Sequence, residues 1–597
     1  MVHTLHRLVC SLLLAFLIAG QTAIAHEHAH PAVPAITQSA PAEPAQLVPD
    51  GQVDTAVGGE PEGVADHEHM HPTPSRQMAL GVQEDKGMTM LHPGLGSSWI
   101  AAAGAIIAAM VLWSLFALLP SGAPVLGFNL ARAPLVGPAI RVVSNNPNVL
   151  LAAKCGSVAV FVIIVAAGLF GTPYPEHNLA TVLVWNVWWP LVIVSVLPLG
   201  TAWCAVCPWD TLASWLVRRR LWRRACPHPG LNLRVPHYLR NIWPAFLLFL
   251  AFAWVEVGTG IESIPFATAI VALCFLALSV AFLLVFERKA FCRYACPVGR
   301  TLGYYSRLAA VAVRPANQAT CNECKTLDCY NGSALIEPCP TQLVVGRFSE
   351  NTYCLSCGNC VYSCPKKNVS WWLRPISSEA RELSRARYDG AWFMLALLGI
   401  TTFHGLSMMP FWSDWVTAIA RELSEGGRLY GSFTIAMLGS FAVPLFFYAA
   451  AIAVLRVYAP RRSSYMKLFA AFAFAALPLA FAYHLAHNLY HVSRETGDVL
   501  GLLLNPFGTG LAPLSPAERH ERMMSPLFPD EVMFTIQTGL MVIGFWLSAG
   551  IARYRAREFW VSSGPLRGWR TLPLLIFSGV ITAMNFWVMA QDMEMRF

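Results

Sequence analysis

Ten stretches of roughly 20 residues in this chain are apolar through their middles, near 99–120, 149–170, 179–200, 241–258, 266–286, 391–409, 433–455, 467–489, 532–552 and 571–590. A helix of that length spans the hydrocarbon of a bilayer, so the pattern predicts about ten transmembrane helices. The polar positions between them are sorted by charge. Alternate loops carry Arg132 and Arg141; Arg218, Arg219, Arg220, Arg223 and Arg224; Arg288, Lys289 and Arg293; Arg456, Arg461 and Arg462; and Arg553, Arg555, Arg557, Arg567 and Arg570. The intervening loops, such as 173–178 and 258–265, are short and mixed or acidic. One orientation satisfies the positive-inside rule at every loop. It places both mature termini outside and the polar segment 316–370, between spans five and six, in the cytoplasm.

Before the first span the pattern changes. Residues 1–25 hold His6 and Arg7, an apolar run over 8–18 and Ala23-Ile24-Ala25, the layout of a cleaved secretory signal peptide. Residues 26–98 are rich in Pro, Ala, Gly and His with almost no aliphatic periodicity, which predicts a disordered extracytoplasmic tail. Two patches in it, His26-Glu-His28-Ala-His30 and His67-Glu-His69-Met-His71, present imidazoles at alternate positions, a metal-capturing pattern suited to copper, zinc or nickel. The expected domains are a signal peptide (1–25), this tail (26–98), a five-helix membrane domain (99–315), a cysteine-rich segment (316–370) and a second five-helix membrane domain (371–597).

At 597 residues, 55% hydrophobic and 13% charged, the chain is too apolar for an ordinary soluble protein. Its net charge of +8 sits largely in arginines beside the spans, so it orients the chain in a membrane rather than marking a nucleic-acid surface. Nothing suggests a hydrolase, and the lipid bilayer is the partner this composition demands. Sixteen cysteines change the picture further, because most fall in metal-cluster spacings and not in the framework of a small secreted protein.

Cys354-x-x-Cys357-x-x-Cys360-x-x-x-Cys364-Pro365 fits the bacterial ferredoxin spacing residue for residue. Upstream stand Cys321-Asn-Glu-Cys324, Cys329 and Cys339-Pro340. In two-cluster ferredoxins the fourth cysteine of each run serves the other cluster. Cys354, Cys357, Cys360 and Cys339 are therefore expected on one [4Fe–4S] centre, and Cys321, Cys324, Cys329 and Cys364 on a second. Zinc also takes C-x2-C pairs, but eight cysteines with two following prolines favour iron–sulfur. The expected fold is an α-helical polytopic membrane protein with a small cytoplasmic two-[4Fe–4S] ferredoxin-like α+β segment.

Two further pairs, Cys204-Ala-Val-Cys207-Pro208 after span three and Cys292-Arg-Tyr-Ala-Cys296-Pro297 after span five, occupy matching positions at cytoplasmic helix ends. Their four sulfurs either converge on one further cluster or metal, or act as two redox dithiols. Cys155, Cys226 and Cys274 stand alone and read as ordinary buried cysteines.

Short Cys-Pro motifs at cytoplasmic helix ends, followed by a two-cluster ferredoxin segment, resemble the NapH/NosR-type membrane-bound polyferredoxins over roughly residues 99–370. That group includes the oxidase-assembly polyferredoxin. In the family the helix-end motif is C-x3-C-P; Cys292 and Cys296 match it, whereas Cys204 and Cys207 are one residue closer. The resemblance implies electron transfer between a quinone pool or cytoplasmic donor and an extracytoplasmic partner, in the inner (cytoplasmic) membrane of a bacterium.

Residues 391–597 lie outside that resemblance. Span eight ends Tyr483-His484-Leu-Ala-His487-Asn-Leu-Tyr490-His491, with histidines at i, i+3 and i+7 on one helical face. Span six places His404, Met408 and Met409 at similar depth. Ionisable groups within a membrane are functional candidates. Imidazole with thioether is a copper-type ligand set, imidazole with carboxylate suits iron or zinc, and two histidines on facing helices can hold a b-type haem. The sequence thus predicts an electron-transfer protein linking cytoplasmic [4Fe–4S] clusters to quinone or to an outer metal or haem site. Its service would be copper or iron reduction, uptake or insertion, with a periplasmic metal-binding protein as recipient. Two rivals stay open: a quinol dehydrogenase subunit feeding a periplasmic respiratory reductase, and a metal transporter or chaperone with redox-sensing clusters. As an oxidoreductase, whether metal reductase or quinol dehydrogenase component, it has no assigned catalytic residues.

Overall fold

Apolar runs become helices, and proline opens several of them. α1 (Ser97–Phe116), α2 (Pro147–Phe170) and α3 (Leu179–Leu199) come first. Then follow α4 (Pro208–Arg218), α5 (Trp243–Thr259), α6 (Pro265–Val285) and α7 (Pro297–Tyr305). Pro147, Pro208, Pro265 and Pro297 each stand at the first helical position, where a missing N–H costs nothing and the fixed φ suits a helix. After the cysteine segment come α8 (Tyr388–Ser407), α9 (Phe411–Leu423), α10 (Tyr430–Tyr458), α11 (Tyr465–Glu495), α12 (Asp530–Trp560) and α13 (Leu572–Ala590). The computed structural model describes residues 91–92, 94–119, 127–218, 230–461, 463–560 and 568–594. The expected signal peptide, most of the expected tail and its histidines His26, His28, His30, His67, His69 and His71 lie outside them.

Among the described residues, nine helices are long and apolar enough to cross a membrane. The chain is a helical, multi-pass membrane protein with a cysteine-rich segment. The fourth expected span, α5, has 17 residues, about 26 Å of helix against a hydrocarbon core of roughly 30 Å. α11 is the central element: its most apolar window is 100% buried and that of α8 is 89%, against 17% for α1 and for α2. Small residues explain the difference, because they let backbones approach. A Cβ added at Gly405 of α8 would lie 2.2 Å from the Tyr483 hydroxyl of α11, and one at Gly544 of α12 would lie 2.6 Å from the Ala482 Cβ. α1 and α2 instead turn apolar side chains such as Leu112, Phe116, Val162 and Ile163 outward, as a lipid-facing ring does.

β1 (Leu91–His92) pairs antiparallel with β5 (Met593–Glu594), so the two ends of the described chain meet. β2 (Phe128–Asn129), β3 (Val311–Pro315) and β4 (Val369–Leu373) form an antiparallel sheet in the order β2-β4-β3, and β3 and β4 frame the cysteine segment. That segment sits at one end of the bundle. Arg555, near the end of α12, donates to Ala380 O at 2.8 Å and Ser384 O at 2.9 Å, just after the sheet. At the other end, Arg494 in the last turn of α11 pairs with Asp530 at the start of α12.

A buried carboxylate locks the segment to the helices. Glu379 accepts from the Asn351 backbone N–H at 2.7 Å, the Asn351 amide at 3.0 Å and Arg314 at 3.2 Å, and also from Arg374. Burial alone would raise its pKa, but Arg374 and Arg314 outweigh burial and hold the carboxyl below its usual range.

Candidate metal centres

Cys339, Cys354, Cys357 and Cys360 line one cavity of about 390 Å³, its open mouth included, together with Val313, Leu343 and Phe348. The loop that presents three of them, Cys354-Leu-Ser-Cys357-Gly-Asn-Cys360, bends through positive φ at Ser356 (50°) and Gly358 (76°). Such bends turn successive backbone N–H groups to one side, a concavity that favours anionic ligands. Ser356 N–H donates to Cys354 Sγ at 3.4 Å and Leu343 N–H to Cys339 Sγ at 3.3 Å. Burial pushes the Cys354 thiol up to about 12 and Cys360 well above its ordinary value. Without metal these sulfurs stay protonated, and iron would have to displace the protons.

The other four cysteines of the segment lie near one another. Cys329 is within electrostatic reach of Cys321, Cys324 and Cys364. Asn368 donates from its amide to Cys321 Sγ at 3.3 Å and from its backbone N–H to Cys364 Sγ at 3.4 Å. Cys324 is the outermost: hydrogen bonds from the Leu327 N–H and the Thr326 hydroxyl lower its pKa. Cys360 feels Cys329, so the two quartets adjoin.

The Cys-Pro pairs converge from different helices. Cys204 is within reach of Cys296, and Cys207 of both Cys204 and Cys296. Cys292 is within reach of Cys296 and Cys207. Cys296 is the N-cap of α7, its sulfur accepting the Gly299 N–H at 3.2 Å, where the helix dipole favours negative charge. Proline after each second cysteine starts a helix there, which explains the Cys-Pro spelling.

Both pairs lie between helix ends, Cys207 directly before α4 and Cys296 as the N-cap of α7. The chain turns at Gly200 (φ 63°) beside the cysteine segment, where Thr201 donates to Cys354 O at 2.8 Å. It then runs back into the bundle. Trp209 donates to Ala272 O at 2.9 Å, and Ala272 lies about 20 Å along α6 from its end at Val285. α4 returns to the segment, where Arg218 pairs with Glu337. Cys204 and Cys207 thus sit on a re-entrant excursion, tolerated at that depth because α2, α3 and α6 surround it. On the segment side Cys204 feels Cys354, and Arg288 donates to Cys339 O at 2.9 Å. Three cysteine quartets therefore form a row that runs from the outer part of the segment into the bundle.

Sequence reasoning missed the groups around the innermost quartet. Asp210 pairs with Lys289 and stands 3.7 Å from Cys292 Sγ. Trp188 contacts Trp189, Trp203 and Trp209 at ring separations of 5.9, 5.4 and 5.7 Å, and Trp189 reaches His484 at 5.7 Å. The signal was there in part: Asp210 follows the Cys-Pro motif by two residues, and Lys289 precedes Cys292 by three. Among the lone cysteines, Cys274 is exposed rather than buried; Cys226 lies outside the described residues.

The histidine trio divides. His484 is buried in mid-bundle and shares a 3.2 Å hydrogen bond with the Tyr305 hydroxyl at the end of α7. His487 and His491, further along α11, face each other with Nε2 atoms 3.2 Å apart. His404 lies against Phe403, and Met408 and Met409 are buried. The contact of Gly405 with Tyr483 closes α8 onto α11 at this level, so the structure gives a porphyrin no space between those two helices there. Among the described residues, no three His, Cys, Asp or Glu side chains lie at the spacing of ligands to a single metal ion.

Fold and site together describe a multi-pass helical membrane protein with iron–sulfur-type cysteine sites. A family model described as "4Fe-4S binding domain" matches residues 181–225 and 268–314, the two stretches that carry Cys204, Cys207, Cys292 and Cys296. The chain is also similar to a protein of Escherichia coli (strain K12) with the printed name "Putative electron transport protein YccM", 27% identical over 153 residues. That match covers 24% of this chain and 39% of the relative, so the chain spans well under half of the relative's length.

Proposed function

We propose that this protein carries electrons between a donor at the cysteine-segment face and an acceptor reached from within the bilayer, with [4Fe–4S] centres held by its three cysteine quartets. Bound there, such centres supply reversible one-electron transfer. What supports the reading is the gathering of Cys339, Cys354, Cys357 and Cys360 around one cavity, with Thr201, three residues before Cys204, donating to Cys354 O at 2.8 Å. Cys321, Cys324, Cys329 and Cys364 would be the entry nearest a soluble partner. Cys339, Cys354, Cys357 and Cys360 would stand in the middle, their sulfurs tuned by the Ser356 and Leu343 N–H groups. Cys204, Cys207, Cys292 and Cys296 would be the exit. An acceptor in the bilayer is favoured because the full hydrocarbon width of roughly 30 Å is too far for one tunnelling step. Lys289 and Asp210 would keep the charge around that exit balanced. The match of a 4Fe-4S binding domain to the exit stretches, and the similarity to a protein named for electron transport, support the same reading.

Iron and sulfide analysis tests it. Protein purified without oxygen should hold about twelve irons per chain, at four per cubane. Cys204→Ser with Cys296→Ser should remove about four while the remainder stays reducible by dithionite. A double variant with the iron content and spectrum of the parent refutes a cluster at the Cys-Pro turns.

A further inference from the structure

We propose that His487 and His491 hold a divalent transition-metal ion, with Glu495 as the carboxylate that orients His491, at the end of α11 far from the cysteine segment. The site stands on imidazole geometry and is independent of the electron-transfer reading.

His487 and His491 are one turn apart on one face of α11, and their Nε2 atoms converge to 3.2 Å. Zinc–imidazole bonds are about 2.0–2.1 Å long. An ion at that distance from both nitrogens would see them at about 100°, close to the tetrahedral angle. The rings are crossed at 73° with centroids 4.6 Å apart, so two in-plane lone pairs can point to one spot without the rings stacking.

What lies behind the rings fits the same purpose. His491 Nδ1 is hydrogen-bonded to the Glu495 carboxylate, and a carboxylate behind a ligating histidine fixes its tautomer and raises its basicity. Tyr483 stacks on the His487 ring at 5.9 Å and 18°. Asn186 donates to Glu495 O at 3.2 Å, joining the site to the π-helical turn Val182–Trp188 of α3. Such turns inside α-helices are frequent at functional sites. The His491 side chain is 19% exposed, so an ion and its remaining water ligands can enter. With two imidazoles and no thiolate, the class is Zn²⁺, Cu²⁺ or Ni²⁺. His484 lies apart from the pair, buried against Tyr305 and Trp189.

A simple imidazole–imidazole hydrogen bond would show the same 3.2 Å separation, and a footprint of the full-length protein separates the two. Chelator-washed protein in detergent is labelled with diethyl pyrocarbonate with and without Zn²⁺, and modification is read by mass spectrometry on the peptide spanning 484–495. Site-resolved reading keeps the tail histidines out of the measurement. At ten times its half-saturating concentration, Zn²⁺ should slow labelling of His487 and His491 by about tenfold and leave exposed His520 unchanged. Glu495→Gln should raise the half-protecting Zn²⁺ concentration by about 10- to 100-fold. If wild-type His487 and His491 label at the same rate with and without Zn²⁺, the pair is a hydrogen bond only and the proposal is overturned. Protection that is insensitive to Glu495→Gln overturns the role of Glu495.

Discussion

Glu379→Gln is the most telling perturbation of the frame that holds the cysteine segment. Glu379 has no exposed surface and answers two guanidiniums, Arg314 and Arg374, as well as both nitrogens of Asn351. The amide removes the charge and turns an NH2 group toward donors. Breaking a buried pair on one side typically costs about 3–5 kcal/mol, since the opposite charge is left uncompensated. At about 1.4 kcal/mol per factor of ten, local opening should become about two to three and a half powers of ten more frequent. Amide hydrogen exchange resolves this by segment. Protection should fall along β3, β4 and residues 349–352, and stay unchanged in α9, which lies far from the lock. pH gives a second reading. The carboxyl lies below its ordinary 4.5 in the folded chain, so its contribution is present above that value and is lost as pH falls through the lower folded value. The wild type should show this acid step and Glu379→Gln should not. Protection in β3 and β4 that changes by less than about 1 kcal/mol would refute the view that this carboxylate locks the segment.

Two further outcomes follow from the cysteine quartets. A Cβ at Gly346 would stand 2.5 Å from Cys321 Cβ, so Gly346→Ala should displace that sulfur and release about four irons while the quartet around Cys354 keeps its own, as iron counts and EPR would show. In cluster-free protein, alkylation mapped by mass spectrometry should reach Cys324 well before Cys354, because hydrogen bonds lower one thiol and burial lifts the other to about 12. The raised Cys354 thiol also stabilises the cluster-free fold only below the unfolded value of about 9; that contribution is lost as pH rises toward 12.

What the linear chain determined is local chemistry. A span of apolar residues must satisfy its own backbone, so it becomes a helix wherever it occurs, and all but the shortened fourth expected span came out at full crossing length. Cysteine spacing within Cys354–Cys364 restricts which sulfurs can share a centre, and Cys339, Cys354, Cys357 and Cys360 line one cavity. Proline after each second cysteine is a local signal as well, and helices start at Pro208 and Pro297. Only the tertiary structure decided how deep those starts lie. Depth depends on which helices surround the turn, and the hydrogen bond from Trp209 to Ala272 joins residues 63 apart in sequence. The same holds for the convergence of four cysteines from two distant motifs, for Glu379 between its arginines, and for the split of the histidine trio. Helical periodicity put His484, His487 and His491 on one face, but packing set Tyr305 against the first and brought the Nε2 atoms of the other two to 3.2 Å. Spacing along a chain constrains partners a few residues away; contacts across a bundle are set by packing, which no single segment contains.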